Sequence, residues 1–210
     1  MATLLSINTG SAQHISGYKP LTGIVKRPVE SAVITPLGLE DDAICDRKHH
    51  GGPDQAVYLY FADDYQFWAD QLGRRLEPGL FGENLTLAGV EGRNVAVGDR
   101  FVIGPVLLEV TSHRTPCMTF AARMGEPGWV RRFHRGGRPG AYCRVLQPGM
   151  VQAGMDVDVL AYAGERISVA ELMVLDGKRT LDPAFMRRAL TAPVHYKMRA
   201  DYENQLARLF

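Results

Sequence analysis

The apolar positions along the chain change texture near residue 165. Before it, short apolar runs at 4–8, 23–29, 31–35, 56–61, 100–103, 106–111, 141–146 and 157–161 read as strands. Turn chemistry separates them: Pro36-Leu37-Gly38, Val97-Gly98-Asp99-Arg100, Ile103-Gly104-Pro105 and Gln147-Pro148-Gly149. Many short strands at irregular spacing suit a closed or sandwiched β-structure, because closure removes exposed edges.

Helices interrupt this pattern and then replace it. Over 63–72, Tyr65, Trp68 and Leu72 fall at i, i+3 and i+7, an apolar stripe with Asp63, Asp64 and Asp70 elsewhere. Pro116 opens a second short helix with Cys117 just inside it, and 127–134 is a third. After residue 165, Ser168-Val169-Ala170-Glu171 has the spacing of a capping box. Asp182-Pro183 places an acceptor at the cap and proline at the first helical position of a helix through Leu190. Pro193 then separates a last helix, 195–209, with Tyr202, Leu206 and Leu209 on one side. The expected architecture is mainly β with α: a β-domain over 1–165 and a small three-helix C-terminal domain over 166–210.

Composition narrows the functional classes. With 210 residues, 46% hydrophobic and 22% charged, the chain suits one substantial core plus an appendage. A formal net charge of +1 gives no long-range attraction to nucleic acid or anionic lipid, so neither is expected as a partner. No apolar run approaches the roughly 20 residues of a membrane span. The segment from Met1 to Ile7 lacks the charged start of a secretory leader, which makes a cytoplasmic protein the expectation. Three cysteines, Cys45, Cys117 and Cys143, are an odd number, so a disulfide scaffold is disfavoured and at least one thiol is free.

Four stretches could carry chemistry. In His113-Arg114-Thr115-Pro116-Cys117, a cation and a helix start both favour the thiolate, which is the metal-binding and nucleophilic form of cysteine. The alternative is a buried cysteine acting as a small apolar residue. In the stretch from Asp46 to Tyr58, Gly51 and Gly52 permit positive φ and an anion nest, with Arg47 and His50 as further donors; an ordinary hairpin entrance has the same residues. Asn84, in Phe81-Gly82-Glu83-Asn84, offers donors and an acceptor to a heterocycle edge, or else stabilises a turn. Arg131, Arg132, Arg135 and Arg138 with two glycines could clamp a phosphate or simply be solvated. Zinc at His49, His50, His113 and Cys117 lacks ligand spacing.

Taken in order, these pieces resemble one family. Thr22-Gly23-Ile24, Gly38-Leu39, Asp46-Arg47 with His50-Gly51-Gly52-Pro53-Asp54 and Ala56-Val57-Tyr58 follow the MOSC (molybdenum cofactor sulfurase C-terminal) pattern. So do Phe81-Gly82-Glu83-Asn84-Leu85, Gly98-Asp99-Arg100-Phe101, Arg114-x-Pro116-Cys117 and Val145-Leu146-x-Pro148-Gly149, and the tail from Arg166 resembles the three-helix extension of the YiiM-like subgroup. The resemblance implies a MOSC-type β-barrel over 1–165 followed by that extension, and a molybdenum cofactor (a molybdenum–pyranopterin) with Cys117 as the protein's metal ligand. It implies a reductase of N-hydroxylated compounds, such as N-hydroxylated purines, independent of pyridoxal phosphate and fed by an external flavoprotein. A homodimer is compatible with it. Cys117, His50 and Asp54 are then the expected catalytic residues, the last two as proton donors or hydrogen-bonding groups. Arg47, Gly51, Gly52, Asn84 and Arg114 are the expected cofactor-binding residues. A non-catalytic carrier of the cofactor or of persulfide sulfur is the alternative, and a structural β-domain with a partner-binding tail is a third. The chain departs from the pattern at Glu40-Asp41-Asp42, at Gly154-Met155-Asp156, and at Cys143, where an aromatic is usual and where a rival sulfur now stands.

Overall fold

The structure, a computed structural model, describes residues 1–209; Phe210, the last residue of the expected extension, lies outside the described residues. Seven strands close a barrel: β1 (Ala2–Thr9), β2 (Val57–Phe61), β3 (Leu85–Ala88), β4 (Arg100–Ile103), β5 (Val106–His113), β6 (Ala141–Gln147) and β7 (Asp156–Leu160). Their spatial order is β7-β4-β5-β6-β2-β3-β1, and β1 closes the ring on β7 through Ala2↔Val157 and Thr3↔Asp156. Every pairing is antiparallel except β2 with β3, which run parallel in the register Leu59↔Leu85. Closure leaves no barrel edge to protect.

Strand β2 explains much of the packing. Its sequence Val57-Tyr58-Leu59-Tyr60-Phe61 is apolar throughout because both faces are covered, and all five residues are buried. With the two-residue period of a strand, Val57, Leu59 and Phe61 point into the barrel core. Tyr58 and Tyr60 point outward into a second cluster with Trp68, Phe81, Phe120 and Trp129. That cluster is the space between the barrel and three helices: α1 (Ala62–Leu72), α2 (Met118–Met124) and α3 (Trp129–Gly136). The Trp68 and Phe133 rings stack there with centroids 5.6 Å apart.

Three further helices follow the barrel: α4 (Val169–Leu175), α5 (Pro183–Leu190) and α6 (Tyr196–Ala207). Ser168 caps α4 by accepting the Glu171 N–H at 3.0 Å, and Asp182 caps α5 through Ala184 N–H at 2.9 Å. The Glu171 side chain does not return to Ser168 but pairs with Arg188 on α5. Leu172, Met186, Ala189 and Tyr202 share a core with Val97 and Ile167. The extension is also tied to the barrel's loops. Tyr196 N–H donates to Asp54 Oδ2 at 2.8 Å, His195 N–H to the Thr111 carbonyl at 2.9 Å, and Lys197 Nζ to the Lys48 carbonyl at 3.2 Å.

The structure adds elements that the apolar pattern did not signal. Gln13–Ile15 and Tyr18–Thr22 form a hairpin, and Gly149–Gln152 and Gly38–Leu39 join the expected strand Ser31–Thr35 in a small sheet. The hairpin is mostly exposed and polar, so it has no core-facing stripe to reveal it. Of the expected strand 23–29, only Arg27–Val29 pairs, as an extra strand beside β1. Helix α2 begins at Met118, not Pro116; Cys117 is its cap residue with extended φ −131° and ψ 172°.

The inward face of β2 carries the barrel. Leu59→Ala should lower the unfolding free energy by about 2–5 kcal/mol in urea denaturation. A loss under about 1 kcal/mol would mean that the core can collapse around the gap.

Candidate functional site

The stretch from Arg114 to Cys117, leading out of β5, faces the 42–56 segment, which leads into β2. Between them opens a cleft of about 720 Å³, counting its mouth to solvent. Cys117, His50, Gly51, Asn84 and Arg114 all line it. Residues 50 and 117 are far apart in the chain and meet only because β2 and β5 both neighbour β6.

A bulge at Thr111 shifts the register of β5 against β6, from Val110↔Cys143 to Ser112↔Tyr142. Such bulges re-aim the end of a strand. Here Thr111 Oγ1 bonds the Asp54 carbonyl at 2.5 Å and the Tyr142 carbonyl at 3.2 Å, clasping the two segments that frame the cleft. Gly51 and Gly52 take positive φ, +75° and +89°, as their pairing predicted. A Cβ on Gly51 would sit 3.0 Å from Ile44 Cδ1. Gly51 lies in the cleft wall, while Gly52 is not part of the lining.

The thiol of Cys117 is half-buried, and burial alone would raise its pKa. A hydrogen bond with His50, the positive charge of Arg114 and the Phe120 amide in the first turn of α2 outweigh burial and bring it down to about 6. At neutral pH this sulfur is a thiolate. Cys143 is its opposite: buried between Val110 and Val57 in the barrel core, its thiol is pushed far up by desolvation. The rival sulfur is thus a core residue, and its neighbour Tyr142 is the residue of β6 that reaches the cleft.

Arg114 is 4% exposed. Its Cζ lies 4.0 Å from the Phe120 ring centroid and 5.5 Å from that of Tyr58, and its Nη1 has no hydrogen-bond partner. Aromatic faces favour a cation but do not satisfy its N–H groups. A buried guanidinium with a free nitrogen at a cleft wall is a seat for an anion.

Other residues are placed differently from the expectation. Asp54 does not line the cleft: its Oδ2 accepts the Tyr196 N–H and its Oδ1 lies 3.1 Å from Arg144 Nε, so it anchors α6. Arg47 is exposed and outside the lining. Asn84 lines the cleft, but its amide is spent on the protein. Oδ1 accepts the Tyr58 N–H at 3.1 Å and Nδ2 donates to Asp42 Oδ2 at 2.9 Å. Asp42 also accepts the Gly10 N–H at 2.8 Å and pairs with the buried Lys26, whose pKa desolvation lowers against the pull of Asp42. Arg131 and Arg135 face another surface groove, away from the thiol. His113 Nε2 meets Asp176 Oδ2 at 3.1 Å rather than the cleft.

Sequence reasoning missed Gln55, Tyr58, Tyr142, Lys26, Cys45 and Asp42 as wall residues. Asp42 had a signal, since it lies in the Glu40-Asp41-Asp42 departure. Tyr142 had another, the aromatic expected one position later at Cys143.

The closed barrel thus presents, in an open cleft, a thiol whose pKa is lowered and a buried guanidinium with an unpartnered Nη1. Among the described residues no three His, Cys, Asp or Glu side chains gather as a metal site, so a metal at Cys117 must bring most of its ligands with it. Residues 46–158 match the MOSC domain model, and the chain belongs to the MOSC domain family. It is 39% identical over 170 residues to the uncharacterized protein YflK of Bacillus subtilis, covering 80% of this chain and 77% of that one. The crystal structure of YiiM from Geobacillus stearothermophilus superposes with a TM-score of 0.80 and 26% identity, covering 98% of this chain and 100% of that one. A protein of Gibberella moniliformis named reductase is 36% identical over 117 residues, which is 53% of this chain and 20% of that one. Among the described residues no helix is long and apolar enough to cross a membrane.

Alkylation of Cys117 by iodoacetamide, followed by peptide mass spectrometry, should rise through a midpoint near pH 6, because the depressed pKa leaves the reactive thiolate populated above that pH. His50→Ala should move the midpoint up, towards the ~8.5 of a free cysteine. Asp54→Ala should instead lower stability by about 1–3 kcal/mol and leave that profile in place, since Asp54 serves α6.

Proposed function

We propose that this chain is a molybdenum-cofactor-dependent reductase of N-hydroxylated compounds, with Cys117 as the protein's ligand to the metal. The observation that carries the reading is the Cys117 thiolate, held by His50 and Arg114 in the wall of an open cleft. Family membership and the similarity to a protein named reductase support it.

The residues present fit the cofactor. A deprotonated sulfur is the ligand type that molybdenum held by a dithiolene accepts. The unpartnered Nη1 of Arg114 suits the anionic end of a pyranopterin phosphate. When bound, the cofactor supplies two-electron redox chemistry for removing oxygen from nitrogen.

The chain's own part is positioning and proton supply. His50 lines the same cleft as Cys117 and favours its ionised form. In this reading its imidazole, at the cleft wall, delivers a proton to the oxygen leaving the substrate; its position in the lining supports that role. Asp54, committed to Tyr196 N–H, is not placed for that role. In this reading a separate flavoprotein supplies the electrons.

The test is elemental analysis and turnover of protein made in a host that synthesises the cofactor. Wild type should retain molybdenum and reduce an N-hydroxylated base with a reduced dye as donor. Cys117→Ser should lose the metal and at least about 100-fold in rate, as removing a metal ligand does. Cys143→Ser should keep the metal while costing about 1–3 kcal/mol of stability, since it buries a hydroxyl in the core. Metal-loaded protein that reduces nothing would make the chain a carrier, and loss of metal from Cys143→Ser alone would overturn the ligand assignment.

A further inference from the structure

Gln55 ends the short turn Pro53–Gln55, one residue before Ala56 and β2. Its N–H donates to the Gly52 carbonyl at 3.0 Å, and the Ala56 N–H donates to the Cys143 carbonyl at 3.1 Å. On the other side the Asp54 carbonyl accepts Thr111 Oγ1. The backbone under Gln55 is therefore fixed from both directions, and the residue lines the cleft.

Its Oε1 is buried and has no hydrogen-bond partner. Neighbouring polar groups of the wall are committed elsewhere. Thr22 Oγ1 accepts the Ile24 N–H at 3.2 Å, Tyr58 donates its hydroxyl to the Pro139 carbonyl at 2.8 Å, and Asn84, Asp42 and Lys26 satisfy one another. Among the described residues, the buried side-chain nitrogen and oxygen atoms of the cleft wall that lack a partner are Gln55 Oε1 and Arg114 Nη1. One is an acceptor and the other a cation.

Buried carbonyl oxygens are almost always paired, so an orphan on a residue that lines a cleft points to a donor supplied by a ligand. The two orphans together describe a ligand with N–H groups on one part and negative charge on another. A pterin joined to a phosphate has that pattern, because its amino-lactam edge carries N–H donors.

We propose that Gln55 is a cofactor-binding residue: its Oε1 accepts a hydrogen bond from an N–H of the pterin, while Arg114 Nη1 takes the anionic end. This rests on the cofactor assignment made above for Cys117. It adds a role for the glutamine of Pro53-Asp54-Gln55 that neither the thiol nor His50 performs. Gln55 holds the ring system, not the metal, so its effect reads out as retained pterin.

Wild type, Gln55→Leu and Gln55→Glu are purified from a cofactor-synthesising host. Pterin per protein is measured by the fluorescence of its oxidised form, with melting temperature followed by circular dichroism. Gln55→Leu removes the acceptor and should cut retained pterin about tenfold while melting near wild type. Gln55→Glu keeps an oxygen acceptor in place and should hold pterin within about threefold of wild type. If Gln55→Leu melts early, Gln55→Met takes its place, with unbranched length and no strong acceptor. Wild-type pterin content in a well-folded Leu or Met variant overturns the proposal and leaves the cofactor assignment standing. A loss in Gln55→Glu as deep as that in Gln55→Leu overturns it too, because the amide nitrogen would then be the contact. Wild-type protein without pterin overturns both readings.

Discussion

The thiol of Cys117, the ring of His50 and the guanidinium of Arg114 hold one another in a wall that is only partly wet. Burial works against a charged sulfur, and the two basic groups reverse that penalty. Arg114 in turn sits on the faces of Phe120 and Tyr58, so the outer aromatic cluster of the barrel supports the electrostatics of the cleft. The guanidinium keeps a free nitrogen because, among the described residues, no carboxylate pairs with it. Its missing partner is thus a property of the site, and a packing arrangement with an internal carboxylate would have closed the anion seat.

The barrel exists, from the point of view of the cleft, to bring two remote segments into register. The Thr111 bulge and the fixed turn at Gln55 lie on facing strand ends, and the Thr111 hydroxyl clasps one to the other. The terminal helices strap the same region from outside through Tyr196, Lys197 and His195. Asp54 belongs to this strapping. A carboxylate four residues after the paired histidines reads as reactive in one dimension, yet its Oδ2 takes a helix start more than a hundred residues away and its Oδ1 lies beside Arg144.

How much was legible can be followed residue by residue. Continuous apolar character revealed β2, because both its faces are buried, whereas β3 escaped notice: Leu85-Thr86-Leu87-Ala88 alternates, but over four residues the period is too short to stand out. The capped helices after residue 165 were visible because Ser168 and Asp182 act on neighbours two or three positions away. Cys117, His50 and Arg114 were legible as ordered motifs. Gln55 and Tyr142 were not, because a side chain's exposure to a cleft depends on which face its strand or turn presents.

The sequence by itself determined what is local: turn chemistry, helix caps, the apolar runs, the odd number of cysteines and the motif order that marks the family. These follow from interactions spanning a few residues, which leave their spacing in the chain. Only the tertiary structure decided which cysteine is ionised and which is core, that Asn84 is satisfied while Gln55 is not, and that Asp54 faces away. Charge stabilisation and hydrogen-bond completeness are sums over neighbours in space. Those neighbours are chosen by barrel closure and strand register, which no single stretch of chain contains.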